Sequence, residues 1–220
     1  DRRRRLMNDA APFELHLLNA AGQLRPVVSF LQTRIRAAHE EACRHLPLGP
    51  LDIVARGGSG VVAGKGHVGW TPSAHVIYVT VDPDDPDLLA DRDRSFERLM
   101  AHEFHHAARR AGPGYGSTLG AALVTEGLAC RFVREVYGPP PEPWETSVGS
   151  YELKGHAERA IAEWDRPGYD HASWFHGAGD LPDMLGYALG AWLADHYFDA
   201  HPDESAAGSV HASADRFRPT

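Results

Sequence analysis

Two cysteines in 220 residues leave no disulfide framework and no CxxC pair for a metal. Cys43 and Cys130 each fall inside a stretch with helical patterning and read as small buried apolar residues. No hydrophobic run reaches the ~18 residues of a membrane-crossing helix, so no membrane span is expected. Positive charge is also in short supply. The 22 Lys and Arg face 30 Asp and Glu, giving a net charge of −8, which argues against nucleic acid as a partner. The one basic run, Arg2 to Arg5, reads as a solvated terminus. No internal repeat and no secretory leader is visible, so cytoplasm is the default compartment. The chain begins at Asp1 without a methionine, which leaves export open. Gly64-Lys65-Gly66 lacks the rest of a phosphate loop, and no helix follows it.

What is present is an ordinary globular composition, with 43% hydrophobic and 24% charged residues. The expectation is a single domain over 1–220, with a helix and sheet part to about residue 92 and a helical part from about 93. Histidine is plentiful, at 14 residues. Three chemistry-bearing residues stand together in Ala101-His102-Glu103-Phe104-His105-His106. This is His-Glu-x-x-His. On a helix, residues four apart share a face, so His102 and His106 can hold one cation. Glu103 projects beside that point, where a carboxylate can serve water as a general base. The surroundings are helical. Asp93 or Ser95 is the expected cap, Arg109 and Arg110 suit the last turn, and Gly112-Pro113-Gly114 stops the helix. The plain alternative is a histidine-rich surface helix without a ligand.

Before the motif, Phe13 to Leu18 fits either a strand or a helix. Val27 to about His45 repeats at helical spacing after Pro26. Leu51–Arg56, Gly66–Thr71 and His75–Val81 read as strands joined by short loops, which favour antiparallel neighbours. The aspartate-rich turn 82–87 has prolines that break calcium-loop spacing.

After the motif, a helix is expected from about Ser117 to Tyr137. Glu126 lies on its apolar stripe, between Leu123 and Cys130. A carboxylate there is costly unless it is paired with an arginine or bound to a metal. Gly127 beside it would let this helix and the motif helix approach closely. His102, His106 and Glu126 together make a two-histidine, one-glutamate set with room for a fourth ligand, the pattern of catalytic zinc. Prolines at 139–141 and 143 break the chain, and a helix follows over about 150–164. The loop 168–179 carries His171, Trp174, Phe175 and His176, which either line a pocket or plug a core edge. The last helix is expected from Asp180-Leu181-Pro182 to about Phe198. Gly186 and Gly190 permit close packing, and Tyr187 between them is either a core-edge phenol or a donor to an oxyanion. The small, polar tail from Ala206 is expected to be loosely held.

His102-Glu103-Phe104-His105-His106-Ala107-Ala108-Arg109, then Thr125-Glu126-Gly127-Leu128-Ala129, then Leu181-Pro182 with Gly186-Tyr187-Ala188-Leu189-Gly190, resembles a domain-of-unknown-function family of zinc-dependent proteases. That family is similar to gluzincin peptidases, and the resemblance covers roughly residues 50–200. It implies His102, His106 and Glu126 as zinc ligands and Glu103 as the base. It also implies a sheet edge over the zinc site, for which Val76–Val81 is the expected strand. One departure stands out. Thermolysin-like gluzincins carry an aspartate four residues after the glutamate ligand, and here that position is Cys130.

The expectation is therefore an α+β, mostly helical, zincin-like domain with a small antiparallel or mixed sheet in its N-terminal half. Its function would be zinc-dependent hydrolysis of peptide bonds in a peptide or protein substrate. Tyr187 and His176 are the candidates to stabilise the transition state. The alternatives are a non-catalytic metal- or peptide-binding module, closed off by a fourth ligand such as His176, and a structural domain without metal.

Overall fold

The computed structural model describes residues 11–219. The basic run Arg2 to Arg5 lies outside them. Among the described residues there are seven α-helices and one four-stranded mixed sheet in the N-terminal half, an α+β architecture. The chain divides into two compact units, the first ending at Ala111 and the second beginning at Gly112.

The first unit holds the sheet. Its strands are β1 (Phe13–Leu18), β2 (Leu51–Gly57), β3 (His67–Ser73) and β4 (Val76–Val81), in the order β1-β2-β4-β3. β1 pairs parallel with β2, β2 parallel with β4, and only β3 and β4 are antiparallel. The sequence left Phe13–Leu18 open between strand and helix; it is an edge strand. The parallel pair β1 and β2 is possible because helix α1 (Val28–Ala42) supplies the crossover between them. Leu31, Ile35, Ala38 and Ala42 recur on the buried stripe of α1. Leu51, Ile53 and Ala55 of β2, with Ile77, Val79 and Val81 of β4, are buried. Trp70 and Tyr78, paired in register, stack with ring centroids 5.5 Å apart and stay largely exposed.

A short helix, α2 (Pro86–Ala90), uses the aspartate-rich turn for its cap: Asp85 accepts from the Asp87 N–H. Helix α3 (Ser95–Arg110) follows and carries the histidine motif. Its cap differs from expectation. Neither Asp93 nor Ser95 caps it; the Phe96 N–H donates to Asp91 Oδ1 at 2.9 Å. Asp91, Asp93 and Arg94 all have positive φ, and this coiled entry brings a carboxylate from five residues upstream onto the helix start. Arg34 of α1 binds both Asp91 and Glu97 at 2.9 Å. Burial raises the Asp91 carboxyl, opposed by the Phe96 N–H and Arg34.

The second unit is helical: α4 (Leu119–Tyr137), α5 (Ser150–Ala162), α6 (His171–His176) and α7 (Leu185–Ala200). Thr118 caps α4 by accepting from the Ala121 N–H. The close approach that Gly127 permits is with α7, where the motif helix is the partner expected from the sequence. A Cβ on Gly127 would lie 2.0 Å from the Gly190 carbonyl oxygen, and a Cβ on Gly190 would lie 2.4 Å from that of Leu123. Arg134 ties the pair, reaching Glu145 at 2.8 Å and Asp195 at 2.7 Å.

Three expectations for this unit need correction. The loop 168–179 contains a helical turn, α6, capped by Asp170. The last helix begins at Leu185 rather than near Asp180, because Met184 takes a left-handed φ of 60° and Asp183 bridges to His176. The tail is not loose: Ala206, Val210 and Phe217 are buried. Phe217 packs 4.4 Å from the Tyr197 ring, and Arg216 pairs with Glu204 at 2.6 Å. One aromatic and one arginine outweigh the small polar residues around them.

Candidate metal centre

Helix α3 is buried on nearly every side, from Ser95 through Arg109. That sets aside a histidine-rich surface helix. His102 and His106, four residues apart, bring their rings to 4.5 Å between centroids. Edge strand β3 lies along this helix. His67 contacts Ser95 Oγ at 3.0 Å and sits edge-on to Phe96. Two and four residues further on, Gly69 and Thr71 meet Glu103, and Thr71 Oγ1 donates to Glu103 Oε2 at 2.6 Å. The strand against Glu103 is therefore β3. Val76–Val81, expected in that role, is interior, with β2 on one side and β3 on the other.

Helix α4 carries Glu126, which is 5% exposed. Tyr115, from the glycine-rich turn before α4, donates its phenol O–H to Glu126 Oε1 at 2.8 Å. Burial first, then the Glu126 charge, hold the Tyr115 phenol far above its ordinary range, so it remains a donor. Tyr169 is pushed up to about 12 by the same two causes. Burial lowers His171, His176 adds to that, and Glu126 and Asp170 oppose it. Tyr169 and His171 are joined at 3.1 Å.

The four residues expected from the sequence as ligands and base are all buried: His102, Glu103, His106 and Glu126. His102, His106 and Glu126 each offer a ligand atom, and these atoms lie within 4.8 Å of one another. Two imidazoles and one carboxylate are the donor set that zinc takes in hydrolytic sites, so the residues fit that ion. Glu14, His16 and Asp52 form a second such group, but all three are exposed. His16 and Asp52, on neighbouring strands, make a surface ion pair at 2.7 Å.

The two further candidates lie in the second unit. Tyr187 is half-buried on α7, edge-on to Phe175 at 5.2 Å, and its phenol contributes to the rise at Tyr115. His176 ends α6, exposed, 5.5 Å from the His171 ring. In the loop, Trp174 and Phe175 are buried as a plug, and His171 stacks on Phe175 with ring centroids 4.4 Å apart. Sequence reasoning missed Tyr115, Tyr169 and Thr71. A tyrosine between glycines in Gly114-Tyr115-Gly116 was the one available signal, since a large ring in a tight turn needs somewhere to pack.

The comparisons agree with this geometry. Residues 32–218 match the family described as "Predicted Zn-dependent protease (DUF2268)". The chain belongs to that family of predicted zinc-dependent proteases. It is also 28% identical over 153 residues to "Uncharacterized protein YjfC" of Bacillus subtilis (strain 168). That match takes in 62% of this chain and 49% of the relative, so the chain spans about half the relative's length. No solved structure matches the chain.

Proposed function

We propose that the protein is a zinc metallopeptidase that hydrolyses peptide bonds. The observation that carries this reading is the buried group of His102, His106 and Glu126, with Glu103 next to the first histidine, in a chain of this family. His102, His106 and Glu126 would hold the ion. Three protein ligands is the number catalytic zinc sites use, which favours an enzyme over a closed binding module. When bound, zinc supplies a Lewis acid that polarises a carbonyl and makes water acidic enough to react near neutral pH.

The chain's own groups do the rest. Glu103 takes a proton from the attacking water and passes it to the leaving amine, so one carboxylate acts as base and then as acid. Tyr115 holds Glu126 in one orientation through its phenol hydrogen bond. Tyr187 and His176 are the proposed donors to the developing oxyanion, a phenol and an imidazole able to offer hydrogen bonds.

The test compares cleavage of a pooled peptide library by the wild type and by Glu103→Gln, with zinc content measured for both. The variant is expected to keep its zinc and lose at least about a hundredfold in kcat. Equal rates would remove Glu103 from the chemistry and overturn the reading.

A further inference from the structure

Peptide hydrolysis requires a base, but it does not require a threonine on that base. Thr71 is 3% exposed, and its hydroxyl has one proton to give. Glu103 Oε2 lies 2.6 Å away and the Glu103 carbonyl oxygen 3.3 Å away, so the carboxylate takes it. Gly69 leaves room for the carboxylate on the Oε1 side. A Cβ there would fall 2.5 Å from both Cγ and Oε1 of Glu103, so only glycine admits the carboxylate at this distance. The backbone supports the same arrangement. The pairing of β3 with β4 breaks between Trp70 and Ser73, and Pro72 sits in that irregularity. Proline has no N–H for a ladder, and a bulge at a sheet edge re-aims the side chain beside it. Alternation along the strand turns Trp70 to solvent and Thr71 inward.

We propose that β3 is the seat of the general base. Thr71 is a positioning residue that pins Oε2 of Glu103 and leaves Oε1 as the oxygen that gains and returns the proton. The inference rests on the peptidase reading, because it gives Thr71 a role only through Glu103. In the forward step the water O–H bond breaks and its proton joins Oε1, while the hydroxide oxygen bonds to the substrate carbonyl carbon. On collapse the carbon–nitrogen bond breaks and the Oε1 proton goes to the departing amine. A glutamate has three rotatable side-chain bonds; fixing one oxygen removes misaligned rotamers before the proton moves.

The experiment measures kcat and KM on the pooled peptide library for the wild type, Thr71→Val, Thr71→Ser and Glu103→Gln, with zinc content and thermal unfolding of each. Thr71→Val keeps the side-chain shape and removes the hydroxyl. It is expected to fold and hold zinc, with kcat down about tenfold or more and KM changed less than about threefold. Thr71→Ser is expected to recover most of the rate, since serine restores the donor. If Thr71→Val does not fold, Thr71→Ala takes its place under the same expectation. Wild-type kcat in the hydroxyl-free variant, with Glu103→Gln inactive, overturns the role of Thr71 and leaves the peptidase reading standing. Full activity in Glu103→Gln overturns the peptidase reading, and the role of Thr71 falls with it.

Discussion

At the scale of single residues, two acids of the candidate site accept hydrogen bonds from hydroxyl groups, Glu103 from Thr71 and Glu126 from Tyr115. Glu126 is a buried carboxylate on an otherwise apolar helix stripe, a costly placement unless its oxygens are occupied. Tyr115 satisfies one of them at 2.8 Å. Outer-shell partners of metal ligands typically carry about ten- to a hundredfold of metal affinity. Tyr115→Phe, which removes only the phenol oxygen, is therefore expected to weaken zinc binding by about that factor in a competition titration with a chelator. Unchanged affinity would mean that the phenol serves packing alone. The proposed ligands and base and the residues hydrogen-bonded to them differ in how visible they are in sequence. His102, Glu103, His106 and Glu126 follow from spacing, because four-residue periodicity and an acid on an apolar stripe are local signals. Thr71 and Tyr115 do not, because their partners lie 32 and 11 residues away and neither residue type stands out on its own.

At the scale of elements, the helices were legible and their junctions were not. Periodicity placed α1, α3, α4 and α5 within a few residues of where they lie. The ends were set by backbone that hydropathy does not report. The left-handed residues Asp91, Asp93 and Arg94 moved the cap of α3 upstream, and Met184 delayed the start of α7. Three of the four strands were found and Phe13–Leu18 was left open; the strand order was not legible, since parallel pairing of β1 with β2 through α1 is a long-range choice. Gly127 was legible as a point of close approach, and its partner proved to be α7. With 2.0 Å between a Cβ at 127 and the Gly190 oxygen, α4 and α7 would have to separate to admit a methyl group. Gly127→Ala is expected to cost at least about 1–3 kcal/mol, seen as a lower thermal midpoint. A midpoint equal to wild type would show that this helix pair yields freely.

For the whole molecule, the proposed chemistry rests on the His-Glu-x-x-His helix, the acid at 126 and membership of a family of predicted zinc-dependent proteases. No helix among the described residues is long and apolar enough to cross a membrane. The central claim is that two imidazoles and one carboxylate hold a single zinc ion, and its most direct test is the metal content of purified protein. After exposure to zinc and removal of the excess, elemental analysis of the wild type is expected to give about one zinc per chain, and Glu126→Ala far less. A metal-free wild type, or a Glu126→Ala variant that retains as much zinc as the wild type, would contradict the account.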